Sequence, residues 1–317
     1  MLIIRGATLA GLAASARLAR LGHEVTLVTD GARLGGTLGG PIPDEVSVPA
    51  AWRDVFKKSG GHLVAELNRV HVELVEAPPR QHLLPDGSTL TLPDERGPQY
   101  RGVAARFGEA EAARWRAMID YLDDVWQAFR RHALEDTAPV RTTAERVALG
   151  LDVTVGDLAA RVAPELAGIV LAAGGGVPEA PAVEALSLST HRQFGRWILR
   201  GADGTQHPGA LLTDLLVERV RERGVTITEQ GDDAVDIDAT PPAGARLRAR
   251  SAEEWLARPA VVAADGSLRA SAASPAGPEP WAELGSAALA VYALHERLTG
   301  EDCRPTNRAF TMPRLEH

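Results

Sequence analysis

A glycine turn between an apolar run and a helical pattern constrains this chain more than any other feature. Leu2-Ile3-Ile4 is followed by Gly6-Ala7-Thr8-Leu9-Ala10-Gly11. From Ala10 to Leu21 the apolar residues Leu12, Ala16, Leu18 and Leu21 recur at helical spacing, and Gly22 stands where a C-cap belongs. Val25-Thr26-Leu27-Val28 then reads as a second buried strand. Strand, turn, helix and strand make a βαβ unit, whose two strands are parallel because the helix carries the chain back. Such a unit binds a dinucleotide pyrophosphate at its helix N-terminus, and its fingerprint is G-x-G-x-x-G. Gly6, Thr8 and Gly11 are therefore candidate cofactor contacts. Thr8 replaces the middle glycine and puts bulk where phosphate approaches, although its hydroxyl is able to donate to a phosphate oxygen. The acid expected after the second strand, for the ribose hydroxyls, is displaced by one: Thr29 holds its place and Asp30 follows.

The bulk composition narrows the classes. With 317 residues and 45% hydrophobic content, the chain has material for one large domain or two joined ones. A net charge of −8, with arginines scattered among acids, excludes a concentrated basic surface for nucleic acid. The single cysteine, Cys303, excludes an internal disulfide framework, and a reducing cytoplasm is the expected home. The first strand starts at once and leaves no room for a signal peptide, and no apolar run approaches the ~20 residues of a membrane span. The 9 histidines show no H-x-x-x-H spacing, so no metal site is expected. Leu315-Glu316-His317 looks like the stub of an expression tag.

Further along, Trp52–Gly61 reads as a short helix. Val70–Val75 and Ser88–Leu92 alternate like strands, with Pro85-Asp86-Gly87 as a turn. Glu109–Leu134 is a long helix carrying Trp115, Met118, Leu122, Val125, Trp126 and Phe129 on one core-facing stripe. Pro139–Leu188 reads as two shorter helices broken at Pro164 and at Gly174-Gly175-Gly176, a loop or a ligand lining. Ala210–Arg223 is a helix, followed by strands at Val225–Thr228, Ala234–Ala239 and Val261–Ala264. Trp281–Leu298 closes the pattern as an amphipathic helix that buries Leu284, Ala288, Val291, Leu294 and Leu298.

After the βαβ unit comes Arg33-Leu34-Gly35-Gly36-Thr37. A βαβ unit, an acid and a Leu-Gly-Gly-Arg loop open the amine-oxidase-like flavoproteins, and here Thr37 replaces the arginine. Downstream, Trp52-Arg53-Asp54-Val55-Phe56, His82–Leu90, Glu111–Arg116, Phe194-Gly195-Arg196-Trp197 and Gly209–Arg223 resemble, in order, segments of the phytoene-desaturase (carotenoid desaturase and isomerase) branch. Ala263-Ala264-Asp265-Gly266-Ser267 resembles that branch's terminal Gly-Asp-Ser stretch, with Ala264 for glycine. The same residues also resemble the Asp-Gly motif of flavoprotein aromatic hydroxylases, which lies mid-chain in those proteins. The sequence thus resembles a shortened, divergent relative of the phytoene-desaturase branch, with the shortfall between Pro241 and Val261.

This resemblance implies an α/β fold: a Rossmann-like FAD/NAD(P)-binding three-layer domain with a smaller, mostly helical substrate domain. The expected division assigns 1–75 and 205–314 to the two-ended dinucleotide domain and 76–204 to the substrate domain. FAD is the implied cofactor, with Gly6, Thr8, Gly11, Asp30, Gly35, Gly36 and Asp265 as its contacts. The implied function is an FAD-dependent oxidoreductase acting on an apolar, isoprenoid or polyketide-like small molecule in a biosynthetic pathway. Four FAD-binding features are altered or missing: the middle glycine, the ribose acid, the loop arginine and the strand covering the adenine. A second reading is therefore a descendant that has lost FAD, working as a cofactor-free isomerase or cyclase or as a non-catalytic partner subunit. His191, Arg192 and Arg196, beside Trp197, form the densest polar cluster and are the catalytic candidates. A second copy of the chain or a pathway protein is the candidate macromolecular partner.

Overall fold

A computed structural model describes residues 1–36, 42–135, 139–231, 234–242, 244 and 246–304. Strand β1 (Leu2–Arg5), helix α1 (Leu9–Arg20) and strand β2 (Val25–Val28) form the expected unit, with Leu2 beside Val25 and Arg5 beside Val28 in parallel register. Every residue of α1 from Leu9 to Leu18 is buried, because the helix has other elements on nearly all its faces.

Strand β3 (Glu45–Ser47) leads into α2 (Pro49–Lys58), α3 (Leu63–Arg69) and β4 (Val72–Glu76). Pro49 sits in the first turn of α2, where its missing N–H is no loss. Strands β5 (Arg80–Leu83) and β6 (Thr89–Leu92) form a hairpin across Pro85-Asp86-Gly87. The Ser88–Leu92 run therefore pairs with Arg80–Leu83 and not with the earlier alternating run.

The middle of the chain is helical: α4 (Arg96–Phe107), α5 (Glu109–Arg130), α6 (Thr143–Ala148), α7 (Val155–Ala159), α8 (Pro164–Ala173) and α9 (Ser187–Phe194). The Trp115-to-Phe129 stripe of α5 is buried throughout, as its spacing requires. Pro164 opens α8 instead of breaking a helix, since proline is tolerated only in the first turn. Strands β7 (Arg196–Gly201) and β8 (Gln206–His207), helix α10 (Ala210–Glu222), strands β9 (Thr226–Thr228) and β10 (Ile237–Asp238), and helices α11 (Ala252–Leu256) and α12 (Pro280–Thr299) complete the order.

The two ends of the chain share one parallel sheet, ordered β10-β1-β2-β9. Beyond β10, Asp238 and Arg269 form a parallel bridge, and the Ala270 N–H donates to the Asp238 carbonyl at 2.9 Å, so residues 268–270 continue the sheet. The expected strand at Val261–Ala264 does not form. Val262 only bridges Leu268, and residues 263–267 close a tight turn in which the Ala263 N–H donates to the Ser267 carbonyl. A separate antiparallel sheet, β3-β7-β4, was not anticipated, because its strands come from distant parts of the sequence.

One apolar core joins β1, α1, β2, α10 and α12 with residues 42–72. A second lies within residues 84–185, and a third, around Trp126, Phe129, Trp255 and Trp281, connects the two. Helix α12 packs along α1 with Leu284, Val291 and Leu294 buried. Leu298, expected on the same stripe, is 50% exposed, because the last turn of α12 runs past the core. Among the described residues no helix is long and apolar enough to cross a membrane.

Candidate functional site

The carboxyl ends of parallel strands are where ligands meet an α/β sheet. At the end of β1, Gly6 has φ +118°, and a Cβ there would lie 2.6 Å from the Ala239 carbonyl carbon. Only glycine lets the segment after β10 cross so closely. The first turn of α1 then offers its N–H groups, and each is engaged. Leu9 N–H donates to the Gly36 carbonyl at 3.0 Å, Ala10 N–H to Glu283 Oε1 at 3.1 Å, and Gly11 N–H to Thr8 Oγ1 at 3.2 Å. The Thr8 hydroxyl donates in turn to the Ala239 carbonyl at 3.0 Å. Gly35 N–H donates to the Ala7 carbonyl at 2.6 Å, which docks the Gly35-Gly36 loop on the turn. Gly6, Thr8, Gly11, Gly35 and Gly36 are thus brought together, but around each other.

Glu283 was not among the sequence candidates. It lies in the first turn of α12, fully buried, and burial pushes its carboxyl up to about 7 against the partial support of the Ala10 N–H. Among the described residues its second oxygen has no partner.

Asp30 stands at the carboxyl end of β2 with φ 50°, exposed, and 3.6 Å from Arg5 Nε. Asp265 is elsewhere. Its carboxylate accepts from the N–H and hydroxyl of Ser267 at 2.9 and 2.7 Å, holding a turn that precedes residues 268–270. It therefore lies at the amino edge of the sheet, and Ser271–Ser274 occupy the carboxyl edge. Arg297 Nη1 donates to the Gly266 carbonyl at 2.9 Å, which ties that turn to the end of α12 remote from Glu283. The intervening helix of Glu283 to Arg297 spans ~20 Å at its rise per residue. Asp265 does not join the glycine cluster. The loop position Thr37 lies outside the described residues.

A second locus gathers polar side chains. A cavity of about 290 Å³ is bordered by Glu45, Arg80, His82, His191, Arg248 and Glu279, with Ile169, Ala172, Ala173 and Leu188 as an apolar wall. Burial, then the cations of Arg80 and Arg196, pushes the His191 imidazole down to about 4, and the same causes lower His82. Both rings are neutral at physiological pH, and no hydrogen bond to a described residue contributes to either shift. Arg196 borders the cavity but is fully committed. Its Nε meets both Asp94 oxygens at 3.1 Å, Nη1 meets Glu45 Oε1 at 2.7 Å, and Nη2 meets the Pro78 carbonyl at 2.8 Å. It acts as a strut between the hairpin and β3. Arg192 joins His191 and Arg196 around a neighbouring cavity of about 340 Å³, yet its guanidinium is held by Asp123 and by Asp120 at 2.8 Å. Gly175, in the triple-glycine loop, packs against the Arg248 side chain and makes room for it. His82, Arg80, Arg248 and Glu279 were not singled out by sequence, because hairpin and loop positions carry no spacing signal. Among the described residues no cluster of metal-ligating side chains forms.

No protein-family model matches the chain. It is 30% identical over 146 residues to hydroxyneurosporene desaturase of Cereibacter sphaeroides, a match covering 43% of this chain and 29% of that protein. Over that stretch the chain resembles the carotenoid desaturases. The corresponding Rhodobacter capsulatus enzyme is 29% identical over 147 residues, again 29% of its length, so the chain matches under a third of these curated relatives. Among solved structures, putrescine oxidase aligns with 71% of this chain and 50% of its own at 18% identity and a TM-score of 0.45. The fold itself is α/β with a parallel, Rossmann-like sheet.

The desaturase family implies FAD. The residues at α1 do not fit its diphosphate, which needs free N–H donors at the helix N-terminus. Leu9, Ala10 and Gly11 have spent theirs on Gly36, Glu283 and Thr8. Glu283 Oε1 already accepts from the Ala10 N–H that a diphosphate would need.

Proposed function

We propose that this chain keeps the desaturase fold but works without a resident dinucleotide, as an isomerase or cyclase whose proton transfers run on side chains. One observation carries the reading: the three N–H groups that open α1 are bonded within the protein. A diphosphate there would have to displace a carbonyl, a hydroxyl and a buried carboxyl together. In the mixed cavity the neutral imidazole of His191 is the candidate base. It would take a proton from a ligand carbon, become imidazolium, and return the proton at another carbon, so that no electrons leave the ligand. A biosynthetic, cytoplasmic setting fits this chemistry.

The relationship to the desaturases favours a second reading, an FAD-dependent oxidoreductase acting on an apolar small molecule. In that reading Glu283 and Gly36 must both give way to the cofactor. The test is to denature the purified chain, measure released flavin by absorbance, and titrate the native protein with FAD. The proposal expects no flavin and no saturable binding. Stoichiometric flavin would overturn it in favour of the second reading.

A further inference from the structure

We infer that the cavity between β3, β5, α8 and α9 binds a small molecule bearing a carboxylate on an apolar body, held by Arg80 and Arg248 beside His191. The inference deepens the proposed function and rests on it for the chemistry that follows binding, not for binding itself.

Two guanidiniums at this cavity keep N–H donors that their ion pairs leave open. Glu45 is shared, its Oε1 with Arg196 and its Oε2 with Arg80. Arg80 engages only Nη2 in that contact, which leaves Nε and Nη1 without a described partner. Arg248 gives Nη1 to the Glu184 carbonyl at 2.7 Å, with the Glu184 carboxylate 3.8 Å away, and reaches Glu279 with Nη2 at a long 3.4 Å, leaving its Nε without a described partner. Two half-used guanidiniums on one cavity make a fork for a planar anion. Ile169, Ala172, Ala173 and Leu188 line the same cavity, which suits a hydrocarbon body and not a second charge. A volume of about 290 Å³ is that of a small-ligand pocket.

The imidazoles then have a reason to be there. His191 on α9 faces Arg80 and His82 from β5, Arg196 from β7, Glu45 from β3, and Arg248 and Glu279 from the loops. Its basicity is suppressed by burial and by the two nearest cations. A bound carboxylate cancels part of that positive field and restores affinity for a proton. The ligand would therefore arm its own base, and binding would take up a proton. The sign follows: a complex that holds an extra proton is tighter as pH falls from neutral.

Isothermal titration with 3-phenylpropanoate, and with neutral 3-phenylpropanamide as control, tests this on the full chain. The expected result is one-to-one binding of the acid, at least tenfold weaker binding of the amide, and net proton uptake when the titration is repeated in buffers of different ionisation enthalpy. Arg80→Met and Arg248→Met replace partly exposed side chains, so both should fold, and each should weaken the acid by tenfold or more. His191→Gln should lose the proton uptake and with it the tightening of acid binding as pH falls. Equal binding of acid and amide, no saturation by the acid, or full affinity in both arginine variants would overturn the inference. Flavin content is measured on the same sample. Acid binding to a flavin-loaded protein would sink the cofactor-free reading and leave this one standing, whereas a flavin-free protein that ignores the acid would do the reverse.

Discussion

Glu283 holds its Oε1 3.1 Å from the backbone nitrogen of Ala10, joining the first turn of α12 to the first turn of α1. The two residues are 273 positions apart, yet the contact decides what the helix N-terminus can bind. The carboxyl engages an N–H of the kind that a dinucleotide phosphate uses at the helix N-terminus of a βαβ unit.

The first prediction concerns pH. The Glu283 carboxyl is raised from 4.5 to about 7 by burial, so the folded state holds a proton that the unfolded chain releases above 4.5. Its contribution is complete below 4.5 and is lost as pH rises through about 7. The loss amounts to about 3 kcal/mol at most. Glu283→Gln keeps an acceptor for Ala10 and removes the titration. The variant should show a flatter profile of urea midpoint against pH and exceed the wild type at mildly alkaline pH. An unchanged profile would mean that Glu283 is ionised in the folded state.

Thr8 gives the second. Its hydroxyl caps α1 through Gly11 and is anchored on Ala239. Thr8→Gly frees one N–H of the three, while Leu9 and Ala10 stay occupied. The single change should therefore leave FAD titrations flat and lower stability by about 1 kcal/mol or less, the worth of a cap. Tight FAD binding by Thr8→Gly would show that the threonine alone excludes the cofactor.

The third separates two leucines one turn apart on α12. Leu294 is 3% exposed and Leu298 is 50% exposed. Leu294→Ala should cost about 2–5 kcal/mol as a buried truncation, and Leu298→Ala about 0.5 kcal/mol or less. Denaturant midpoints check both. Equal losses would mean that α12 sits differently against α1.

A buried ion pair supplies the fourth. Glu184 and Arg258 meet at 2.9 Å with side chains 4% and 8% exposed, behind the loop that carries Arg248. Arg258→Met leaves the buried carboxylate with only the Ala249 N–H at 3.0 Å and the Arg248 guanidinium at 3.8 Å, and should cost about 3 kcal/mol, whereas Arg258→Met with Glu184→Gln should recover part of the loss. A double-mutant cycle in urea measures it.

The local unit was legible because its signals are local. Leu2 to Val28 carry strand, turn and helix patterns in consecutive residues, and the Trp115-to-Phe129 stripe encodes burial by spacing alone. Glu283 was not legible: an acid in a helix's first turn reads as dipole compensation, and only the tertiary fold reveals which helix it caps. The same holds for the cavity. Arg80 and His82 look like residues of a polar hairpin, and their meeting with His191 and Arg248 depends on how that hairpin docks. Arg192 and Arg196 looked equivalent in the sequence, yet their guanidiniums are spent on Asp120 with Asp123 and on Asp94 with Glu45. Asp265 was misleading for another reason: an Asp-Gly-Ser run has the same local chemistry at a hairpin tip as after a sheet strand.

That turn yields the last prediction. Were Asp265 a flavin contact, Asp265→Ala would remove cofactor and activity together. The structure puts its carboxylate on Ser267, at the amino edge of the parallel sheet, and Ser267's hydrogen bonds hold its pKa below the usual carboxylate range. The aspartate is solvent-exposed, so losing it costs the turn some rigidity and little else. Asp265→Ala should leave the flavin content of the purified protein at its wild-type value and leave 3-phenylpropanoate titrations unchanged, with at most a small drop in melting temperature. Ala272→Trp, at the opposite edge, fills a site that is 1% exposed where Ser271–Ser274 leave the sheet. It should perturb the fold far more, by overpacking. If Asp265→Ala alone emptied a flavin site, the chain beyond β10 would have to run the other way through the sheet, and the parallel bridge between Asp238 and Arg269 would be wrong.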